Sequence, residues 1–210
     1  MALNAVEFAE RIQREEPLLS SIRRQTNRHR ETHGKGCDAF PSNANTVRFI
    51  RTLAGSAQGG RTLEVGCGLG LTAIALAWGM GTGRVETVEK DPLHASLARK
   101  NFMKARVINR IRIREGNADE ILSKLRRPYD IILEDAGYGA VPPYYEDLVR
   151  LLRPGGFLLW ENWFPLDPEV PGIADDEFRG TQAWARKAFR DRRLRTTYLR
   201  GTLGLSVRRP

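Results

Sequence analysis

The stretch from Arg61 to Trp78, RTLEVGCGLGLTAIALAW, constrains this chain more than any other. An apolar run ends in three alternating glycines, Gly66, Gly68 and Gly70, and opens into a second apolar run of helical composition. That pattern describes a strand, a tight turn and a helix, since glycine lets the backbone turn sharply and approach a ligand closely. Glycines also serve ordinary turns, so the distance to the next chemical group decides how far they can be read. Arg84 to Asp91, RVETVEKD, is a second strand-like run with Glu89 near its end, roughly twenty residues past the glycines, where a carboxylate can accept both hydrogen bonds of a ribose diol. A nucleotide-like cofactor, a dinucleotide, which the same spacing also fits, and a turn that holds nothing are the readings open at this level.

The rest of the chain alternates. Strands are predicted over 61–65, 84–89, 111–115, 129–134 and 156–161, with helices over 70–78, 92–105, 118–125 and 143–152 between them. Nearly all-apolar strands such as DIILED and GFLLWE specify a parallel sheet covered on both faces. Right-handed crossovers then bring every strand's C-terminal end to one edge. A helix near 178–190 follows, and strand-like 193–200 and 203–209 meet at Gly201-Thr202, which suits an antiparallel hairpin. The expectation is an α/β, Rossmann-like, seven-stranded and mostly parallel sheet with helices on both faces and a C-terminal antiparallel hairpin. Before it, residues 3–30 read as a helix interrupted or restarted at Pro17, and HGKGCDAFPSNAN reads as a loop over the cofactor mouth, with Ser42 or Asn43 capping the next helix. The predicted division is a helical extension with an active-site loop over 1–41 and the cofactor-binding domain over 42–210.

Composition excludes some classes. No run of eighteen apolar residues exists and the N-terminus, MALNAVEFAERIQREEP, is amphipathic and charged, which predicts a cytoplasmic protein with no membrane association. Cys37 and Cys67 are too few for a disulfide framework, Cys67 is expected to be a small packing residue, and no zinc spacing is present. The formal charge of +9 and pI near 10.1 invite nucleic acid as a partner. The excess is almost all arginine, clustered at 23–30, 106–114, 126–127 and 186–195, where solvated helix faces and loops explain it without an RNA-binding module.

EVGCGLG departs from the dinucleotide pattern GxGxxG in its last glycine, and it resembles motif I of the class I S-adenosylmethionine (SAM) methyltransferases, with Glu89 in the place of their ribose-binding acid. Pro128 to Trp163, PYDIILEDAGYGAVPPYYEDLVRLLRPGGFLLWENW, resembles the catechol O-methyltransferase-like family, which includes the bacterial and caffeoyl-CoA small-molecule O-methyltransferases. The likeness runs over about 42–209. It implies SAM as cofactor, with Glu64, Gly66, Gly68 and Gly70 at its methionine end, Thr72 on its carboxylate, Glu89 on its ribose and Asn117, Ala118 and Asp119 around its adenine. Ser42 and Asn43 would cover it from the N-terminal side.

The same resemblance implies a divalent cation, Mg2+ above all, on Asp135, Glu161 and Asn162, with Glu161 standing where the family has an aspartate. The cation would hold two vicinal hydroxyls and lower the pKa of the attacking one. Tyr138 stands where the family commonly has a lysine taken as general base. It is expected either as a base with a depressed pKa or as a stacking wall, unless the metal ionises the hydroxyl alone. Trp163 and Phe164 would face a planar acceptor, and Trp160, Tyr144 and Tyr145 are expected in the core. His94 is expected solvated at a helix start, while His29 and His33 lie near the mouth. The implied activity is metal-dependent O-methylation of a small catechol-like or polyhydroxylated acceptor. A tRNA or rRNA methyltransferase and a non-catalytic SAM-binding protein are the alternatives, and a homodimer through the N-terminal helix is a further expectation.

Overall fold

The structure, a computed structural model, describes residues 15–34, 37–136, 141–161, 175–199 and 203–210. Among the described residues two helices come first, α1 (Pro17–His33) and α2 (Ala44–Ala54), and a 3-10 turn at Gly55–Ala57 leads into the alternating part. There β1 (Arg61–Val65), α3 (Leu71–Gly79), β2 (Arg84–Glu89), α4 (Pro92–Lys104), β3 (Ile111–Glu115), α5 (Ala118–Leu122), β4 (Tyr129–Glu134), α6 (Tyr145–Leu151) and β5 (Leu152–Trp160) follow in turn. The last elements are α7 (Asp175–Arg190), β6 (Leu194–Leu199) and β7 (Leu203–Arg208).

The strands form one sheet in the order β3-β2-β1-β4-β5-β7-β6. The first five pair in parallel, and β7 lies antiparallel between β5 and β6. This is the predicted architecture. Strand alternation sends Ile131 and Leu133 into one core, with α1 to α4, and Ile132 into the other, with α6 and α7. The central strands β4 and β5 are mostly apolar because both of their faces are buried. Among the described residues no helix is long and apolar enough to cross a membrane.

Local chemistry sets the boundaries. α1 starts at Pro17, where a missing N–H costs nothing. Asn43 caps α2 by accepting from the Thr46 N–H at 3.0 Å, which leaves Ser42 for another role. Asp91 Oδ1 caps α4 through the N–H groups of Leu93 (2.7 Å) and His94 (3.2 Å), with Pro92 in the first turn. Strand β5 begins four residues earlier than the apolar pattern predicts. Leu152 already pairs with Tyr129, and the chain then bulges through Pro154-Gly155-Gly156 before Phe157 rejoins opposite Ile131. Arg153 Nε on Asp130 Oδ1 at 2.5 Å holds that bulge.

The connections leave β1 toward β2 on one side, while β4 lies on its other side. Their C-terminal ends therefore diverge at the β1/β4 boundary, which is where open α/β sheets present a crevice.

Candidate active site

At that boundary the β1 strand runs into the glycine turn. Gly66 and Cys67 both donate to the Val88 carbonyl at 3.1 Å, so the turn is pinned across to β2. A Cβ on Gly66 would stand 2.5 Å from the Asp135 carbonyl oxygen, so only glycine lets the ends of β1 and β4 approach this closely. Gly68 faces open space, and its N–H donates to Glu89 Oε2 at 2.7 Å. The other Glu89 oxygen accepts from the Asp91 N–H at 2.9 Å. Two backbone donors thus fix the carboxylate at the end of β2 in one orientation, with lone pairs left for a diol.

A cavity of about 200 Å³ opens over these residues. Gly66, Gly68, Thr72 and Glu89 line it from β1, α3 and β2; Asn117 and Ala118 line it from beyond β3, and Asp135 from beyond β4. Ser42 belongs to another wall, which Asp38 to Ser42 line from the segment before α2. Lys90 reaches over to Asp38 at 2.6 Å and ties this loop to the end of β2. The individual contributions of Ala39, Phe40, Pro41 and Thr26 to the wall were not legible in the sequence, because loop residues carry no periodicity.

Among the described residues, five of the predicted ones lie outside the lining: Asn43, which caps α2, and Glu64, Gly70, Asp119 and Glu161. Gly70 turns the chain into α3 with a positive φ of 88°, and a Cβ there would strike the Phe102 ring, so its place is a packing one. Asp119 is exposed in the first turn of α5. Glu64 is fully buried one residue before the lining starts. Thr87 Oγ1 donates to its Oε2 at 2.5 Å, and Oε1 has no hydrogen-bond partner among the described residues. Burial pushes the Glu64 carboxyl up to about 8; the Thr72 and Thr87 hydroxyls work against that shift, and Glu89 and Glu161 add to it. Glu161 follows β5, with its N–H on the Glu134 carbonyl at 2.9 Å. Its carboxylate accepts from Ser42 Oγ at 2.9 Å, and burial raises its pKa against the pull of that bond and of Arg23.

Asp135 extends the same edge, its N–H on the Val65 carbonyl at 2.8 Å, so Asp135 and Glu161 cap adjacent strands. Tyr138, Asn162, Trp163 and Phe164 lie outside the described residues. Trp160, Tyr144 and Tyr145 are buried as expected, and Tyr144 donates to Glu134 Oε1 at 2.9 Å.

His94 corrects the sequence reading: it is 3 % exposed rather than solvated. The Glu89 carboxylate, 3.8 Å from its Nδ1, holds the imidazole up to about 9, with Cys37 and Asp91 acting in the same sense and burial opposing them. A polar helix start can be buried here because three neighbouring groups compensate the ring.

The O-methyltransferase family model matches residues 9–204. The chain belongs to the O-methyltransferase family. Within that family, the catechol O-methyltransferase of Niastella koreensis is 33 % identical over 132 residues, 60 % of each chain. The catechol O-methyltransferase of Mycobacterium tuberculosis is 36 % identical over 121 residues, 57 % of this chain and 55 % of its own. The chain therefore spans a little over half the length of these curated relatives. In fold, the O-methyltransferase TomG of Streptomyces achromogenes, solved in complex with SAM, superposes with a TM-score of 0.79 at 24 % identity over 98 % of this chain and 95 % of that one.

Proposed function

We propose that this member of the O-methyltransferase family binds SAM in the cavity at the β1/β4 boundary and methylates a hydroxyl of a small catechol-like or polyhydroxylated acceptor. The observation that carries the reading is Glu89, a carboxylate held by two backbone N–H groups inside a cavity at the C-terminal edge of the sheet. The family match and the SAM complex of a protein of the same fold support it.

When bound, SAM supplies an electrophilic methyl group on a sulfonium. The residues of the chain would do the rest. Glu89 would accept the ribose hydroxyls, Asn117 and Ala118 would flank the base, and Gly66 and Gly68 would leave room for the methionine portion beside Thr72. Glu64, buried with an orphan oxygen and destabilised by its carboxylate neighbours, fits a site whose ligand is cationic. Asp119 and Gly70 keep supporting parts in this reading, the first at the entrance to α5 and the second in the packing of α3.

A hard divalent cation fits the oxygen donors that cap β4 and β5. Asp135 and Glu161 would hold it, with Asn162 completing the set, and it would supply Lewis-acid polarisation of the acceptor hydroxyl. Tyr138 is proposed to stand beside that hydroxyl as base or as stacking wall. The acceptor is then oriented for in-line attack, and positioning carries most of the rate.

The deciding assay offers labelled SAM to a catechol and caffeoyl panel and, separately, to bulk tRNA and rRNA, with Mg2+ and with EDTA. Label in the phenols that EDTA abolishes is the expected outcome. Label in RNA rejects the acceptor class, and label in phenols that survives EDTA rejects the cation.

A further inference from the structure

Against the rim of the cavity, three side chains that favour borderline-soft metals converge. His29 on α1, Cys37 at the head of the mouth loop and His94 in the first turn of α4 present ligand atoms that all lie within 4.8 Å of one another. Cys37 Sγ stands 3.7 Å from His94 Nε2. In a tetrahedral zinc site, with Zn–S about 2.3 Å and Zn–N about 2.0–2.1 Å, sulfur and nitrogen ligands sit roughly 3.6 Å apart. The Cys37–His94 pair already has that separation, and the half-exposed His29 ring has only to swing inward by about an ångström.

Two further groups complete the arrangement. Asp91 uses Oδ1 to cap α4 and turns Oδ2 toward the same His94 nitrogen, 3.8 Å away. On the far side of the ring, Glu89 Oε1 lies 3.8 Å from Nδ1. A carboxylate behind a ligating histidine is the arrangement that fixes tautomer and ring direction in metal sites.

We infer that His29, Cys37 and His94, with Asp91 as the fourth donor, form a binding site for a zinc-class divalent cation that ties α1 and the mouth loop to the start of α4. Its chemistry differs from that of the strand ends: a thiolate and two imidazoles select zinc or cobalt, whereas Asp135 and Glu161 offer only hard oxygen. On binding, the Cys37 thiol and the protonated His94 ring each give up a proton to solvent, so that a thiolate and two neutral imidazoles coordinate. The sequence conceals the site because only Asp91 and His94 share a short spacing, while His29 and Cys37 come from two other parts of the chain.

The test uses the full chain, stripped by a chelator and without SAM, so its outcome is independent of methyl transfer. Titration with cobalt(II) is expected to saturate at one equivalent with a near-ultraviolet thiolate-to-cobalt band and intense visible absorption of a four-coordinate ion, which zinc then abolishes by displacement. Loss of an orienting partner alone costs metal affinity about 10–100-fold, so Cys37→Ser and His29→Gln should each weaken zinc at least about 100-fold in competition with a chromophoric chelator. His33→Gln, whose ring stacks on His29 but which is not a ligand, should bind as the wild type does. Absence of the thiolate band in the wild type overturns the site. So does a band that persists in Cys37→Ser, which would assign it to the second buried thiol, Cys67. Should Cys37→Ser fail to fold, His29→Gln decides: unchanged zinc affinity there overturns the site.

Discussion

Glu64 carries a measurable consequence of burying a carboxyl group beside two others. Its folded-state pKa of about 8 lies above the unfolded value of 4.5, so between these the folded chain holds a proton that the unfolded chain has released. Stability from this group is fully present below about pH 4.5 and is lost as pH rises toward 8, with no further loss beyond. Referenced to Glu64→Gln, which cannot titrate, the folding equilibrium of the wild type should fall by up to about tenfold per pH unit inside that window. Parallel denaturant curves for the two proteins from pH 5 to 8 would remove Glu64 as the cause. The glycine turn separates packing from binding. Gly66→Ala drives a Cβ into the Asp135 backbone and should cost about 2–5 kcal/mol of stability. Gly68→Ala meets nothing closer than Ala39, at 3.9 Å, and should cost only about 1–2 kcal/mol for its positive φ while pushing a methyl into the cavity. Thermal unfolding with and without SAM checks both: a Gly68→Ala protein still stabilised by SAM like the wild type would place the cofactor elsewhere. At this scale the sequence told which residues reach the strand ends, because strand length and turn spacing determine that. It did not tell which side chains are already engaged there, as Glu161 is with Ser42, since such partners lie more than a hundred residues apart.

Elements were the most legible level. Apolar runs of strand length between helical stretches determine the β1-to-β5 core, and the last two strands followed from a short turn between β-rich segments. The start of β5 was missed because Leu152 is followed by Arg-Pro-Gly-Gly, whose composition signals a break; the strand continues past them through a bulge opposite β4. α1 packs into the core of the alternating part. Leu19, Ile22 and Thr26 are buried, and Leu19 and Ile22 belong to the same core as α3 and α4. A cap is the cleanest probe of an element remote from the chemistry. Asn43→Ala should lower stability by about 1 kcal/mol through the first turn of α2, and the SAM dissociation constant should not change. An affinity loss larger than the stability loss would mean that α2 positions the mouth loop as well.

Over the whole molecule, part of the positive charge is put to structural use. Arg61 and Arg114 both pair with Glu86, and Arg99 pairs with Glu115. Arg110 caps α3 through the Ala77 and Gly81 carbonyls, Arg150 holds the Leu122 and Leu125 carbonyls, and Arg193 joins Glu146 and Asp191. Within the sequence clusters at 106–114 and 186–195, Arg110, Arg114 and Arg193 are thus ties between elements. Methyl transfer to a small acceptor should accordingly change less than about threefold between 50 and 200 mM salt, whereas an RNA acceptor gripped by six or more phosphate contacts would lose about a thousandfold or more in affinity. The strand order has a consequence for biosynthesis. β5, with its apolar FLLW run, is made well before β7, its partner on one side, which follows about forty residues later. During translation β5 therefore presents an unpaired edge until the final hairpin emerges and closes it.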